Sequence, residues 1–296
     1  MTRPETDGAG WPGTANERSR VDLPGGTVEY DDIGEGDPVL FVHGAFVNGD
    51  LWRDVAGPLS ATHRCLVPTL PLGGHSVPMD EGADLTPSGL ADLLAAFLDA
   101  LDVDRVTLVG NDTGGALCQV FLAAYPERVE RLVLVNCDAY DNFPPLAARP
   151  FTLGARVPGV VGLFARSLRS PTARRLAFRL LTKHPVDDAV LAGYVDALTR
   201  DAEVRRDLRK ALLGVEPRYT HEAAEAFPDF DRPVLVVWGT DDPVFPIADA
   251  ERLVATFPDA RLERVHDSYA LVPEDRPARL AELLGEFLGA RVPAAT

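Results

Sequence analysis

Residues 106–125 read V-T-L-V-G-N-D-T-G-G-A-L-C-Q-V-F-L-A-A-Y and stop at Pro126. The opening apolar run has no polar alternation, as expected of a strand covered on both faces. A Gly-rich turn follows, and then a helical run that the proline ends. Gly110-Asn111-Asp112-Thr113-Gly114 has the spacing of G-x-S-x-G, a strained strand-to-helix turn that lifts a nucleophile above a sheet. The serine position holds Asp112.

The same rhythm recurs along the chain. Residues 20–33 alternate around Gly25-Gly26 and predict a β-hairpin. Short buried strands are expected at Pro38–Val42, Arg64–Pro68, Leu132–Val135, Val234–Trp238 and Leu262–Val265. Helices are expected over Leu51–Leu59, Thr86–Leu101 and Arg279–Leu288, with Thr86 and Pro87 as cap and first-turn residues. Strands that alternate with helices imply a mostly parallel sheet covered on both faces, an α/β fold. Residues 140–227 break the rhythm with amphipathic helical runs and no strand. They are expected to form a helical cap over the carboxyl ends of the strands, where such sheets bind ligands. The core is then residues 20–139 and 228–296, after a polar tail over residues 1–19 that lacks the pattern of a signal peptide.

Composition narrows the partners. A net charge of −16 disfavours nucleic acid and anionic membranes. No apolar run of membrane-spanning length occurs. Cys65, Cys118 and Cys137 lie at no metal-ligand spacing and are expected as reduced thiols in a cytoplasmic protein. A small-molecule substrate with no cofactor and no metal is therefore expected; the oligomeric state is open.

Four motifs stand in a telling order: H-G-A-F at His43–Phe46, the G-N-D-T-G turn, W-G-T-D-D-P at Trp238–Pro243, and V-P-E-D-R-P at Val272–Pro277. With them the chain resembles the α/β-hydrolase superfamily over roughly residues 20–290. An aspartate at the elbow is similar to the haloalkane dehalogenase and epoxide hydrolase branches. A carboxylate suits in-line attack on an sp³ carbon and gives an alkyl–enzyme ester. Water must then attack that ester, with a general base and an oxyanion hole. The resemblance implies Asp112 as nucleophile, backbone N–H groups of Ala45 and Thr113 as the hole, and Asp242 as the acid that orients a histidine. Phe46, Asn111, Tyr269 and Ala270 are expected to border the substrate.

The chain departs from these relatives at several positions. The side chains that hold halide are a Trp after the nucleophile and an Asn after His-Gly, where this chain has Thr113 and Ala45. The proline of H-G-x-P is Phe46. Counted back from V-P-E-D-R-P, the catalytic histidine falls on Ala270, and the nearest histidine is His266. His266 would be the base if the loop after the last strand were rearranged, with His75 a second candidate. Tyr194 or Tyr219 would be the ring-oxygen acid of an epoxide hydrolase, unless each is packing. Asp241, or Asn136 and Asp138 after the preceding strand, are alternative sites for the acid, and Asp242 before Pro243 also reads as a turn residue. Three functions stay open: an Asp112-nucleophile hydrolase, a lyase, isomerase or cyclase with Asp112 as general base, and a non-catalytic binding protein; ordinary ester hydrolysis is a weaker fourth, because Thr113 is the only hydroxyl at the elbow.

Overall fold

Eight strands run in the order β1-β2-β4-β3-β5-β6-β7-β8 in a computed structural model that describes residues 18–289. They are β1 (Ser19–Leu23), β2 (Gly26–Ile33), β3 (Pro38–Val42), β4 (Arg64–Pro68), β5 (Val106–Asp112), β6 (Val129–Cys137), β7 (Val234–Gly239) and β8 (Ala260–Val265). The β1–β2 hairpin turns where Gly25 and Gly26 take positive φ, as primed two-residue turns demand. Both pairings of β2 are antiparallel and all other pairings are parallel. Of the tail expected over residues 1–19, residues 1–17 lie outside the described residues, and Ser19 already opens β1. Arg18 is held there by the Asp31 carboxylate at 3.1 Å.

The apolar runs are strands because alternate side chains feed two separate cores. Leu40, Val42, Leu132, Leu134, Val234 and Val236 join one cluster. Val39, Phe41, Val133, Val135, Leu235 and Val237 join the other. Helices α1 (Arg53–Leu59), α2 (Pro87–Ala100) and α3 (Thr113–Ala124) follow β3, β4 and β5. Leu94 of α2 and Phe121 of α3 fill the first cluster, and Leu59 of α1 fills the second. Thr86 accepts the Gly89 N–H and Pro87 opens α2, so the expected cap forms.

Between β6 and β7 the described residues contain helices and no strand. They are α4 (Arg149–Ala155), α5 (Val160–Ser167), α6 (Pro171–Phe178), α7 (Asp188–Arg200), α8 (Ala202–Gly214) and α9 (Pro217–Ala224). Helix α9, within the range expected to form the cap, packs on α3 of the core instead. The chain closes with α10 (Ile247–Thr256), α11 (Val272–Asp275) and α12 (Pro277–Leu288). The strand order reverses between β3 and β5. Their carboxyl ends, His43-Gly44 and Asp112, open side by side into the crevice that such a reversal leaves.

One buried polar cluster ties the inserted helices to this frame. Arg53 of α1 donates to both oxygens of Glu274 in α11, at 2.5 and 2.8 Å. Tyr194 of α7 donates its hydroxyl to Glu274 and accepts from Arg53 at 3.1 Å. Burial and the adjacent Glu274 push the Tyr194 hydroxyl far above the usual tyrosine range. Removing one partner leaves a buried charge without compensation. The Glu274→Gln variant is therefore expected to lose about 3 kcal/mol of unfolding free energy in denaturant titration. An unchanged midpoint would show that this cluster carries no stability.

Candidate active site

Asp112 ends β5 and caps α3 with φ 57° and ψ −133°. A non-glycine residue seldom holds that backbone, so the surrounding structure must enforce it. Two glycines let it happen. A Cβ on Gly114 would overlap the carbonyls of Val42 and His43, and one on Gly44 would overlap the Asp112 side chain itself. The elbow therefore sits directly against the His43-Gly44 loop. Asp112 Oδ1 accepts the Thr113 N–H at 2.5 Å, and the Ala45 N–H is a second backbone donor. Both donors expected of an oxyanion hole thus face the Asp112 carboxylate. Burial raises the Asp112 pKa, and these N–H groups with the Thr113 hydroxyl oppose the rise.

His43 holds the neighbouring loop in a fixed tautomer. Its Nε2 accepts the Leu70 N–H at 2.8 Å, so the proton sits on Nδ1 and is given to the Gly44 carbonyl at 2.8 Å. Burial lowers its pKa to about 4. His43 is a neutral strut at physiological pH.

An irregular register brings a second carboxyl to the elbow. β5 and β6 slip by one between Asn111 and Asp112, which sets Asp112 opposite Cys137. Asp138 is the next residue. Its side chain is 1% exposed and its Oδ1 has no hydrogen-bond partner. Burial, and then the Asp112 charge, push its pKa well above the usual carboxylate value. A third carboxyl, Asp242, accepts from Asn136 Nδ2 at 2.6 Å and from the Val244 N–H at 2.7 Å. Asn136 in turn accepts the Gly239 N–H at 2.6 Å, locking the ends of β6 and β7 together. Burial raises the Asp242 pKa to about 7.

A cavity of about 930 Å³, counted out to its mouth, lies over the elbow. Ala45, Asp112, Thr113 and Asp138 form its floor. Phe151, Phe164, Phe178 and Leu212 of the inserted helices line it from above. The Phe46 ring packs against those of Phe151 and Phe164 at 5.8 and 5.6 Å and joins floor to roof. The polar side chains in the lining are Asp112, Thr113, Asp138 and Thr152; every other lining residue is apolar.

None of the six histidines lines this cavity. His266, expected as the base, is exposed at the end of β8 with its ring 3.3 Å from the Thr240 hydroxyl. The loop that follows is pinned by its own bonds. Asp275 accepts the N–H groups of Tyr269, Lys183 and His184, and the Leu271 N–H goes to the Leu181 carbonyl at 2.8 Å. His75 is buried against Asp207 of α8 at 3.4 Å. Of the residues expected to border substrate, Phe46 lines this cavity, and Asn111, Tyr269 and Ala270 are not in its lining. Asn111 turns inward and donates to the carbonyls of Val135, Asn136 and Ala270. Ala270 is wholly buried, and Tyr269 is held through its backbone by Asp275. Tyr194 is consumed by Arg53 and Glu274, and Tyr219 is buried in the core with Arg218 over its ring; neither reaches the cavity. Asp241 is exposed and paired with Lys183.

The aromatic roof residues were not expected from the sequence, because their apolar spacing reads as ordinary helix packing. Asp138 had been considered only as an acid for a histidine. The signal for a larger role was its place one residue past an apolar strand beside the elbow strand.

The fold agrees with the comparisons to known proteins. A family model described as alpha/beta hydrolase fold matches residues 37–277, and the chain belongs to that family. It is similar to haloalkane dehalogenase 2 of Mycobacterium bovis, with 30% identity over 270 residues, 89% of this chain and 92% of that one. It is also similar to a cis-3-alkyl-4-alkyloxetan-2-one decarboxylase of Shewanella oneidensis, with 29% identity over 230 residues, 75% of this chain and 72% of that one. A solved meta-cleavage product hydrolase of Pseudomonas fluorescens superposes with a TM-score of 0.75 at 21% identity, covering 92% of this chain and 97% of that one. At that identity the likeness speaks for the fold alone.

The raised Asp242 predicts a pH dependence. The folded chain keeps a proton that the unfolded chain releases above its ordinary value of 3.8. Stability from this group is full below that value and is lost as pH rises to about 7. The Asp242→Asn variant is expected to flatten that fall by on the order of 2 kcal/mol, allowing for partial solvent contact, in urea titrations across the window. A slope identical to wild type would mean that Asp242 titrates normally.

Proposed function

We propose that the protein is an enzyme in which Asp112 attacks an sp³ carbon carrying an oxygen leaving group. The substrate is a small apolar molecule with a strained ring, an epoxide or a β-lactone, held as an ester on the elbow. The observation that carries this reading is the Asp112 carboxylate itself. It stands at the base of an apolar cavity with Oδ1 fixed by the Thr113 N–H and the Ala45 N–H as a second backbone donor to the carboxylate. Oδ2 is then the attacking oxygen, and Oδ1 becomes the ester carbonyl oxygen, already seated where negative charge develops if water attacks.

A halide is a poorer leaving group here. Carboxyls and hydroxyls are the only polar side chains in the lining, so a departing anion would meet no side-chain N–H donor. An oxygen can accept a proton from such a wall. The dehalogenase relative supports the carboxylate nucleophile more than the leaving group.

A second completion is supported by the histidine-free lining. If Asp112 opens a β-lactone at its sp³ carbon, the freed carboxylate can leave as CO₂. Its electron pair forms the carbon–carbon double bond and expels Asp112 as carboxylate. This step consumes neither water nor base, and the decarboxylase relative is named for an oxetanone substrate.

The test is intact-protein mass spectrometry after brief mixing with styrene oxide or with an alkyl β-lactone. The expected result is a mass increment equal to the substrate, mapped to Asp112. The Asp112→Asn and Asp112→Ala variants are expected to lose the increment and at least about a thousandfold of turnover. Turnover without any adduct, at a rate unchanged in Asp112→Asn, would overturn the reading. With the β-lactone, an alkene as product indicates fragmentation, and a β-hydroxy acid indicates hydrolysis.

A further inference from the structure

Two carboxyls line the cavity, and the ester chemistry above employs one of them. Asp138 is the other. Its backbone is fixed by Gln119, whose Nε2 donates to the Asp138 carbonyl at 2.8 Å. Its side chain is 1% exposed, borders the cavity, and leaves Oδ1 unpartnered. A buried polar atom without a partner costs about 1–3 kcal/mol, so the residue is poorly explained as structural. The Thr113 hydroxyl is within hydrogen-bonding reach of both Asp112 and Asp138, and its single proton serves one of them at a time.

We infer that Asp138 is a second catalytic carboxyl, a proton donor to the leaving oxygen and then the base that activates water, in the place where a histidine would otherwise serve. This inference rests on the reading of Asp112 as nucleophile. The two carboxyls divide the roles by their surroundings. Asp112 accepts two backbone N–H groups and the Thr113 hydroxyl, which favours its ionised form. Asp138 has the Thr113 hydroxyl and its own backbone N–H, and it faces acidic neighbours: Asp112, Asp249 of α10 and the thiol of Cys137. Arg252 faces Asp249 and the Tyr140 ring instead, and Asp242 faces Asp112. Two close carboxyls in one dry site share a single proton. That proton belongs on Asp138.

The sequence for an epoxide balances. Asp112 Oδ2 bonds to carbon, the carbon–oxygen ring bond breaks, and the ring oxygen takes both the electron pair and the Asp138 proton. The ester now faces an ionised Asp138. That carboxylate takes a proton from water as its oxygen adds to Asp112 Cγ, and the negative charge falls on Oδ1 between the Thr113 and Ala45 N–H groups. Collapse breaks the Cγ–Oδ2 bond, and the product alkoxide takes the proton from Asp138. The proton left on Asp112 returns to Asp138 through the Thr113 hydroxyl. The sum is epoxide plus water to diol. The oxygen delivered to product comes from Asp112, and that of water stays on the enzyme.

The experiment compares wild type with Asp138→Asn and Asp138→Leu, using styrene oxide as probe. Wild type is expected to form the Asp112 ester transiently and to turn over with a rate that falls on the alkaline side. Both variants are expected to lose turnover by about a hundred- to ten-thousandfold. The alkaline limb should vanish with the carboxyl. The Asp138→Asn variant should accumulate whatever ester it forms. Infrared difference spectroscopy supplies a readout independent of activity and of folding yield under turnover. A protonated-carboxyl stretch present at neutral pH in wild type should be missing from Asp138→Asn. Two results overturn the assignment while leaving Asp112 intact: an ester in both proteins with equal turnover and equal pH profiles, or no carboxyl band lost on substitution. If wild type itself forms no ester, the reading of Asp112 fails first and this assignment falls with it.

Discussion

The Thr113 N–H lies 2.5 Å from Asp112 Oδ1, and much of the site depends on that contact. It holds the carboxylate over the first turn of α3, where the helix dipole favours negative charge. It also requires φ 57° at Asp112, a conformation that an L residue adopts only under compulsion. The compulsion comes from close packing: Gly114 against the carbonyls of Val42 and His43, and Gly44 against Asp112. Neither glycine can carry a Cβ there without moving backbone. Two neighbouring parallel strands, β3 and β5, therefore set the position of a single oxygen.

What surrounds that oxygen decides its chemistry. Among α/β hydrolases the elbow fixes where a nucleophile stands, but not what regenerates it. In this chain the loop after β8 is fastened by Asp275 to the segment around Lys183 and His184, and its buried residue at the expected base position is Ala270. The second carboxyl in the cavity lining is instead Asp138, just after β6. Asp138, Asp112 and Asp242 all titrate high for one principal reason, desolvation. They differ in the donors each receives: the Thr113 and Ala45 backbone N–H groups at Asp112, and Asn136 and the Val244 N–H at Asp242.

Legibility of the sequence followed the range of the interactions involved. Strand and helix identity were readable from local period, because the faces of β3, β6 and β7 feed two cores by strict alternation. The elbow was readable because its strain needs a local pattern of glycines. Ala45 and Thr113 were placed correctly as neighbours of Asp112 for the same reason. Asn111 and Ala270 were misplaced because proximity in sequence to the elbow and to V-P-E-D-R-P says nothing of side-chain direction. Asn111 turns to three carbonyls at the ends of β6 and β8, contacts of long sequence separation. The place of His266 outside the cavity lining was hidden for a related reason: the tertiary bonds of Asp275 that fasten its loop leave no local pattern.

The aromatic roof and the carboxyl floor belong to one physical arrangement. Phe46, Phe151 and Phe164 close the cavity with rings, and rings exclude water without offering hydrogen bonds. Water exclusion is what raises the carboxyls, and it also strengthens the hold of the Ala45 and Thr113 N–H groups on charge at Oδ1. A more open roof would let Asp138 ionise and would leave two like charges side by side. On the proposed reading the apolar roof is thus part of the acid–base apparatus, although it contributes no titratable group to the cavity. Polar substitutions in the roof should therefore act on proton transfer as much as on substrate fit, because both depend on the same dry volume.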